Sequence, residues 1–214
     1  MANRTILFAE HEYYHVYNRG VDKRVLFYDA ADHHNFLQRL YILNNTDPIS
    51  IRDIKKSKDD IYAHERHEPL VSIGAYCLMP NHYHLLLTPC TDGGVSTFMR
   101  KLGTSYSMYF NSKYERTGTL FEGKFKAKHA DTDEYLKYLY AYIHLNPAKL
   151  SPTGTDAATF VTQYTYSSLP DYLSNNRRQS GILSPADFPE YFITAAEHMD
   201  ELNTWLAYGE YKAH

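Results

Sequence analysis

Only two cysteines, Cys77 and Cys90, occur in 214 residues, so no disulfide framework staples the fold and it must hold through its core. No apolar run approaches the ~20 residues of a membrane span. Met1-Ala2-Asn3-Arg4 opens without the hydrophobic region of a signal peptide, and a cytoplasmic protein is expected. Positive charge is not in excess: 22 Lys and Arg stand against 25 Asp and Glu, a net charge of −3. That balance excludes wholesale coating of a polyanion. Cys-x-x-Cys is missing, so a structural zinc site of that kind fits poorly. The His-x-Glu and Pro-Cys-x-x-Cys signature of base deaminases is absent too. No full internal repeat is present.

What the chain does have is an ordinary globular composition, 43% hydrophobic and 22% charged, enough for one core and an extension. Tyrosine is abundant, with 21 residues against a single Trp. Amphipathic packing accounts for most such residues, and stacking on nucleobases is the competing use. Charge is unevenly spread. Seven Lys or Arg face two acids between Arg100 and Lys128, whereas six acids face one Lys between Pro185 and His214. A basic middle with an acidic tail suits nucleic acid bound on one face, although solvated surface charge gives the same pattern.

Glu12 to Arg19 is aromatic and β-branched and stops at Gly20, which predicts a strand. Asp32 to Asn44 has Phe36, Leu37 and Leu40 at helical spacing, with Asp29 or Asp32 as its start. Residues 45–69 are polar and read as a long insertion with room for a short helix. Leu70–Leu78 and His82–Thr88 are strands around a tight Met79-Pro80-Asn81 connection. Gly94–Asn111 is a helix, and Leu120–Lys128 alternates as a fourth strand, with Glu122, Lys124, Lys126 and Lys128 on one face. A last helix starts at Asp131-Thr132-Asp133-Glu134 and is closed by Pro147. The first six elements give an α+β, ferredoxin-like split βαβ: an antiparallel sheet with helices on one face. Residues 1–150 are the expected core domain. Residues 151–214 form a C-terminal extension, a loop followed by an amphipathic helix around Ala186–Tyr208.

Two segments carry chemistry. In Asn81-His82-Tyr83-His84-Leu85 the strand period of two puts His82 and His84 on one face, half of a metal site. In Tyr142-Ile143-His144-Leu145-Asn146-Pro147 the helical period stacks Tyr142 on Asn146. Two imidazoles with an amide oxygen suit Mg²⁺ or Mn²⁺ with positions left open for phosphate oxygens. Twelve histidines make a chance His-x-His unsurprising, and Tyr142 sits in a helix with Tyr135, Tyr138 and Tyr140. His144 stays open as an alternative ligand to Asn146.

Tyr76-Cys77-Leu78-Met79-Pro80-Asn81-His82-Tyr83-His84-Leu85-Leu86 resembles the signature of the single-tyrosine HUH transposases. So do Tyr14-His15-Val16-Tyr17-Asn18-Arg19-Gly20, the run from Arg116 to Lys126, and Tyr142 to Pro147. The branch most similar is the one associated with repetitive extragenic palindromes. The match runs in order from Tyr13 to Leu150, with an echo at Tyr164–Tyr172. It implies that His82 and His84 bind a divalent metal, with Asn146 in the place of the third ligand. Tyr142 is then the nucleophile, forming a 5′-phosphotyrosine on single-stranded, hairpin-forming DNA, and the protein is nucleoid-associated while bound. Arg19, Lys124, Lys126 and Lys128 are the residues placed to meet backbone phosphates, or are simply solvated charges. Phe121 and Tyr166 stand where the branch often has Trp, and the 45–69 insertion is longer than usual. A domesticated hairpin-binding protein, a replication or conjugation initiator, and an RNA-binding module are the alternatives. Monomer and homodimer both stay open.

Overall fold

Alternation of buried and half-exposed side chains makes β1, Tyr14–Arg19, a strand with two unlike faces. In this computed structural model, which describes residues 6–57, 60–174 and 177–208, β1 is a central strand. Met1–Thr5, Lys58, Asp59 and Glu210 lie outside the described residues. The sheet is completed by β2 (Val71–Met79), β3 (His82–Pro89) and β4 (Lys126–His129) in the order β2-β3-β1-β4. All three pairings are antiparallel.

One face is apolar on every strand. Val16, Tyr83, Leu85 and Leu87 pack there against Phe36, Leu37 and Leu40 of α1 (Ala30–Ile42) and Phe98, Leu102 and Tyr106 of α3 (Gly94–Lys113). The Asp29 carboxylate caps α1 by accepting from Asp32 N at 2.9 Å. α3 starts at a glycine because a Cβ on Gly94 would meet the Leu70 carbonyl oxygen at 2.2 Å. The insertion contains α2, Ile51–Ser57, and a 3-10 turn at Ile61–Ala63.

The other face is shared. α4, Asp133–Leu145, lays Leu136, Leu139 and Ile143 on Ala75, Cys77, Met79 and Leu86 and so covers the β2/β3 half. The small Ala75 and Cys77 side chains leave room for the helix. The β1/β4 half stays uncovered. Pro147 does not stop the chain but tightens it into a 3-10 turn, Asn146–Leu150.

Two boundaries differ from the sequence reading. The fourth strand is four residues long rather than spanning Leu120–Lys128. Three steps along β1, Tyr17 to Gly20, face five on its neighbour, Lys126 to Phe121. The surplus bulges out at Gly123, whose φ of 127° favours glycine. The last helix, α7, is Ala195–Tyr208 and not Ala186–Tyr208, because Pro185 and Pro189 confine the preceding stretch to a short 3-10 turn at Pro185–Asp187.

The extension also holds α5 (Ala157–Gln163) and α6 (Leu169–Leu173), which with α7 bury Val161, Leu169 and Leu202 against Ala141, Leu145 and Ala148. It covers the β2 edge as well. Leu78 N donates to Tyr166 O, and Ser168 N to Tyr76 O, both at 2.9 Å. Phe121 packs beside Tyr83 and Tyr106, and Tyr166 stacks on His33 with centroids 3.7 Å apart.

At the end of α1, buried Asn44 accepts from Leu70 N and Val71 N at 3.0 Å and donates to Val71 O at 2.7 Å. Asn44→Ala leaves these backbone groups buried without partners. It is expected to cost about 2–4 kcal/mol in urea denaturation with the m-value unchanged.

Candidate functional site

The uncovered half of the second face forms the floor of a cleft of about 590 Å³. β3 supplies His82 and His84, and β1 supplies His15, Tyr17 and Arg19. α4 forms one wall with Tyr135, Tyr138 and Tyr142. These three tyrosines fall at i, i+3 and i+7, one stripe on the flank of a helix whose underside is buried in the sheet. Asn146 and Lys149, three apart in the 3-10 turn, extend that wall. Lys126 and Lys128 on β4 form the opposite side, with the Lys128 ammonium 4.2 Å from the Tyr135 ring centroid.

The rings are tightly grouped. Tyr142 stands edge-on to His84 and to His15, with centroids 5.4 and 5.5 Å apart. His15 Nε2 lies 2.8 Å from His84 Nδ1. His82 Nδ1 lies 2.7 Å from Asn81 Oδ1, and Asn81 Nδ2 donates to Lys23 O at 3.1 Å. The Lys23 carbonyl orients the Asn81 amide, so His82 carries its proton on Nδ1 and has a lone pair on Nε2. Asp22 and Lys23 both hold positive φ, so that carbonyl sits in a strained turn.

Asn146 Nδ2 donates to the Tyr142 carbonyl at 2.9 Å, which leaves Oδ1 as the free end of the amide dipole. Asn146 Oδ1 and His84 Nε2 are both buried and without a hydrogen-bond partner. Two such orphans in one cleft are unusual in a folded protein; a cation would satisfy Asn146 Oδ1, and His84 Nε2 as well when the His84 proton sits on Nδ1. Nitrogen from neutral imidazole and oxygen from an amide form a donor set open to Mg²⁺ or Mn²⁺. No group of three or more His, Cys, Asp or Glu is arranged to hold a metal ion among the described residues.

Burial dominates the electrostatics. It lowers His15 to about 4, helped by Lys128. It lowers His82 to about 4 as well, with Lys149 and Arg19 adding to the effect and Asn146 opposing it. His84 falls well below the usual imidazole range through burial, then through His15 and His82. All three rings are therefore neutral at pH 7. Burial raises the Tyr142 phenol, and the adjacent Asn146 amide pulls it back.

Residues 37–146, just over half of the 214, match the family model described as "Transposase IS200 like". The chain belongs to the IS200-like transposase family. The matched span includes His82, His84, Tyr142 and Asn146. The fold of this IS200-like transposase is similar to that of a REP-associated tyrosine transposase solved bound to a REP hairpin. Identity is 14%, the TM-score is 0.55, and the likeness covers 88% of this chain and 92% of the other. No curated protein matches the sequence. No helix among the described residues is long and apolar enough to cross a membrane.

Of the residues singled out from sequence, His82, His84, Tyr142, Asn146, Arg19, Lys126 and Lys128 converge on the cleft of this transposase. Lys124 is exposed on the bulge and is not part of the cleft wall. Arg19 is held by Glu122 in a bidentate pair, with Nε to Oε2 at 2.7 Å. His144 is turned away. Its ring nitrogens meet His198 Nε2 at 3.1 Å and Ser168 Oγ at 2.8 Å. His15, Tyr17 and Lys149 escaped the sequence reading. Alternation along β1 puts His15 and Tyr17 with Arg19, but only pairing with β3 brings them to His84.

Buried imidazoles with lowered pKa give a pH signature. Between pH 6.5 and about 4 the unfolded chain takes up protons at His15, His82 and His198 that the folded chain refuses. Stability therefore falls as pH drops through this window, by up to about 1.4 kcal/mol per unit for each group. The thermal midpoint of the metal-free protein should decline from pH 6.5 to 4. A flat profile would contradict the neutral buried rings.

Proposed function

We propose that this IS200-like transposase cleaves and rejoins single-stranded, hairpin-forming DNA through a covalent 5′-phosphotyrosine at Tyr142, with a divalent metal at His82, His84 and Asn146. The observation that carries the reading is the placement of the Tyr142 ring edge-on to His84 in a cleft that also holds two buried polar atoms without partners, His84 Nε2 and Asn146 Oδ1. Mg²⁺ or Mn²⁺ bound there supplies positive charge to the non-bridging phosphate oxygens. Tyr142 Oη attacks the phosphorus, the bond to the 3′ oxygen breaks, and that oxygen leaves as a free 3′-OH after taking up a proton. Rejoining reverses the step. An incoming 3′-OH attacks the phosphotyrosine and the phenol leaves, so the bond energy is retained without a nucleotide cofactor.

Burial keeps the Tyr142 phenol protonated until substrate arrives, which suppresses unproductive attack. Lys126 and Lys128 on one wall and Lys149 on the other give the phosphate backbone a cationic path past the nucleophile. Arg19 serves it too once Glu122 releases the guanidinium, and Lys124 meets a more distant phosphate. The similarly folded transposase is bound to a REP hairpin, which supports hairpin DNA as the substrate class. In this reading residues 1–150 form the catalytic domain, and the extension braces α4 from behind.

Tyr142→Phe should abolish an SDS-resistant adduct with 3′-labelled hairpin DNA in Mn²⁺ while leaving DNA affinity within a few-fold. Retained adduct would move the nucleophile to Tyr138, which shares the wall. His82→Ala and His84→Ala should each remove cleavage together with its dependence on added metal. Lys126→Glu is expected to weaken DNA binding and to flatten the slope of log affinity against log salt by about one. An unchanged slope would take Lys126 out of the interface.

A further inference from the structure

An imidazole can give its Nε2 lone pair to a cation only while the proton sits on Nδ1. For His82 the Asn81 oxygen fulfils that condition. For His84 the neighbour at Nδ1 is a second imidazole, His15, with 2.8 Å between the two nitrogens and both rings buried. A neutral imidazole has one donor and one acceptor, so this contact has two arrangements. If His15 donates, His84 keeps its own proton on Nε2, where it is buried with no acceptor, and no lone pair faces the cleft. If His84 donates, Nε2 is a bare lone pair beside Tyr142.

We propose that His15 is a positioning residue that accepts the Nδ1 proton of His84, so that His84 Nε2 presents its lone pair to the cleft. The inference rests on His84 being a metal ligand, as proposed above. The same ring meets Tyr142 edge-on at 5.5 Å, so a single side chain sets the ligand's tautomer and supports the nucleophile's ring. Metal-bound histidines commonly give that proton to a carboxylate or a backbone carbonyl. Here the acceptor is neutral, and so are the ligands. No charge on the ligands then offsets the cation, whose charge would act on the phosphate.

Long-range ¹H–¹⁵N ring correlation on the full, metal-free chain reads the tautomer directly. His84 is expected with its proton on Nδ1, and a proton on Nε2 would overturn the proposal. His15→Phe should move that proton to Nε2 and weaken binding of Mn²⁺ alone, followed by the EPR signal of the free ion, by about 10–100-fold. His15→Gln, whose side-chain oxygen accepts the same proton, should restore both. Wild-type Mn²⁺ affinity in His15→Phe overturns the positioning role, and so does failure of His15→Gln to restore binding, because a residue that only packs would not be rescued by an acceptor. His84→Ala checks the underlying reading. Its loss of Mn²⁺ binding supports a metal ligand, and unchanged binding removes that reading while the tautomer result still judges His15.

Discussion

Leu136, Leu139 and Ile143 leave water only by lying across Ala75, Cys77, Met79 and Leu86, on the face of the sheet that α1 and α3 do not use. Burial of three such side chains contributes roughly 5–8 kcal/mol, which is comparable with the whole net stability of a domain. The seat of α4 is therefore not adjustable, and neither is anything on its flank. Tyr142 is brought to His84 and His15 because the underside of its helix is committed to β2 and β3. The extension tightens this from the other side, where Leu145, Val161, Leu169 and Leu202 share a cluster and the His144–His198 contact sits beside it.

The cleft is built against local stability. Three imidazoles are held neutral where water would let them protonate, and two polar atoms are buried without partners. The turn at Asp22 and Lys23, both at positive φ, presents Lys23 O to Asn81, which in turn orients His82. Strain and unsatisfied groups gather in one place, and the large core behind β1 and β3 tolerates them. Charge is organised in the same economical way. The lysines line the cleft rim, while the imidazoles of its floor are uncharged.

Periodicity made much of this legible. Alternation in β3 sent His82 and His84 to one face and Tyr83, Leu85 and Leu87 to the other, as found. Helical spacing stacked Tyr142 on Asn146, and the alternating order of strands and helices led to the four-stranded antiparallel sheet. What failed depended on irregular backbone or on distant pairing. Lys124 was assigned to the basic face by counting in twos, and the bulge at Gly123 broke the count. The start of α7 was set too early because a helical pattern extends through Pro185 and Pro189, where the backbone cannot follow it. His15 looked like any strand histidine, since nothing local records that β1 pairs with β3 at His15↔Leu86.

The sequence by itself determined which residue types could meet: two imidazoles on one strand face, a phenol and an amide on one helical stripe, and a basic strand. It did so because periods of two and 3.6 are properties of the local chain. Tertiary structure alone decided that α4 crosses the second face, that His15 lies 2.8 Å from His84, that Asn146 rather than His144 turns toward the cleft, and that Lys149 joins them. Those outcomes depend on which apolar faces bury one another across long separations in sequence. No local rule encodes that choice until the core has formed.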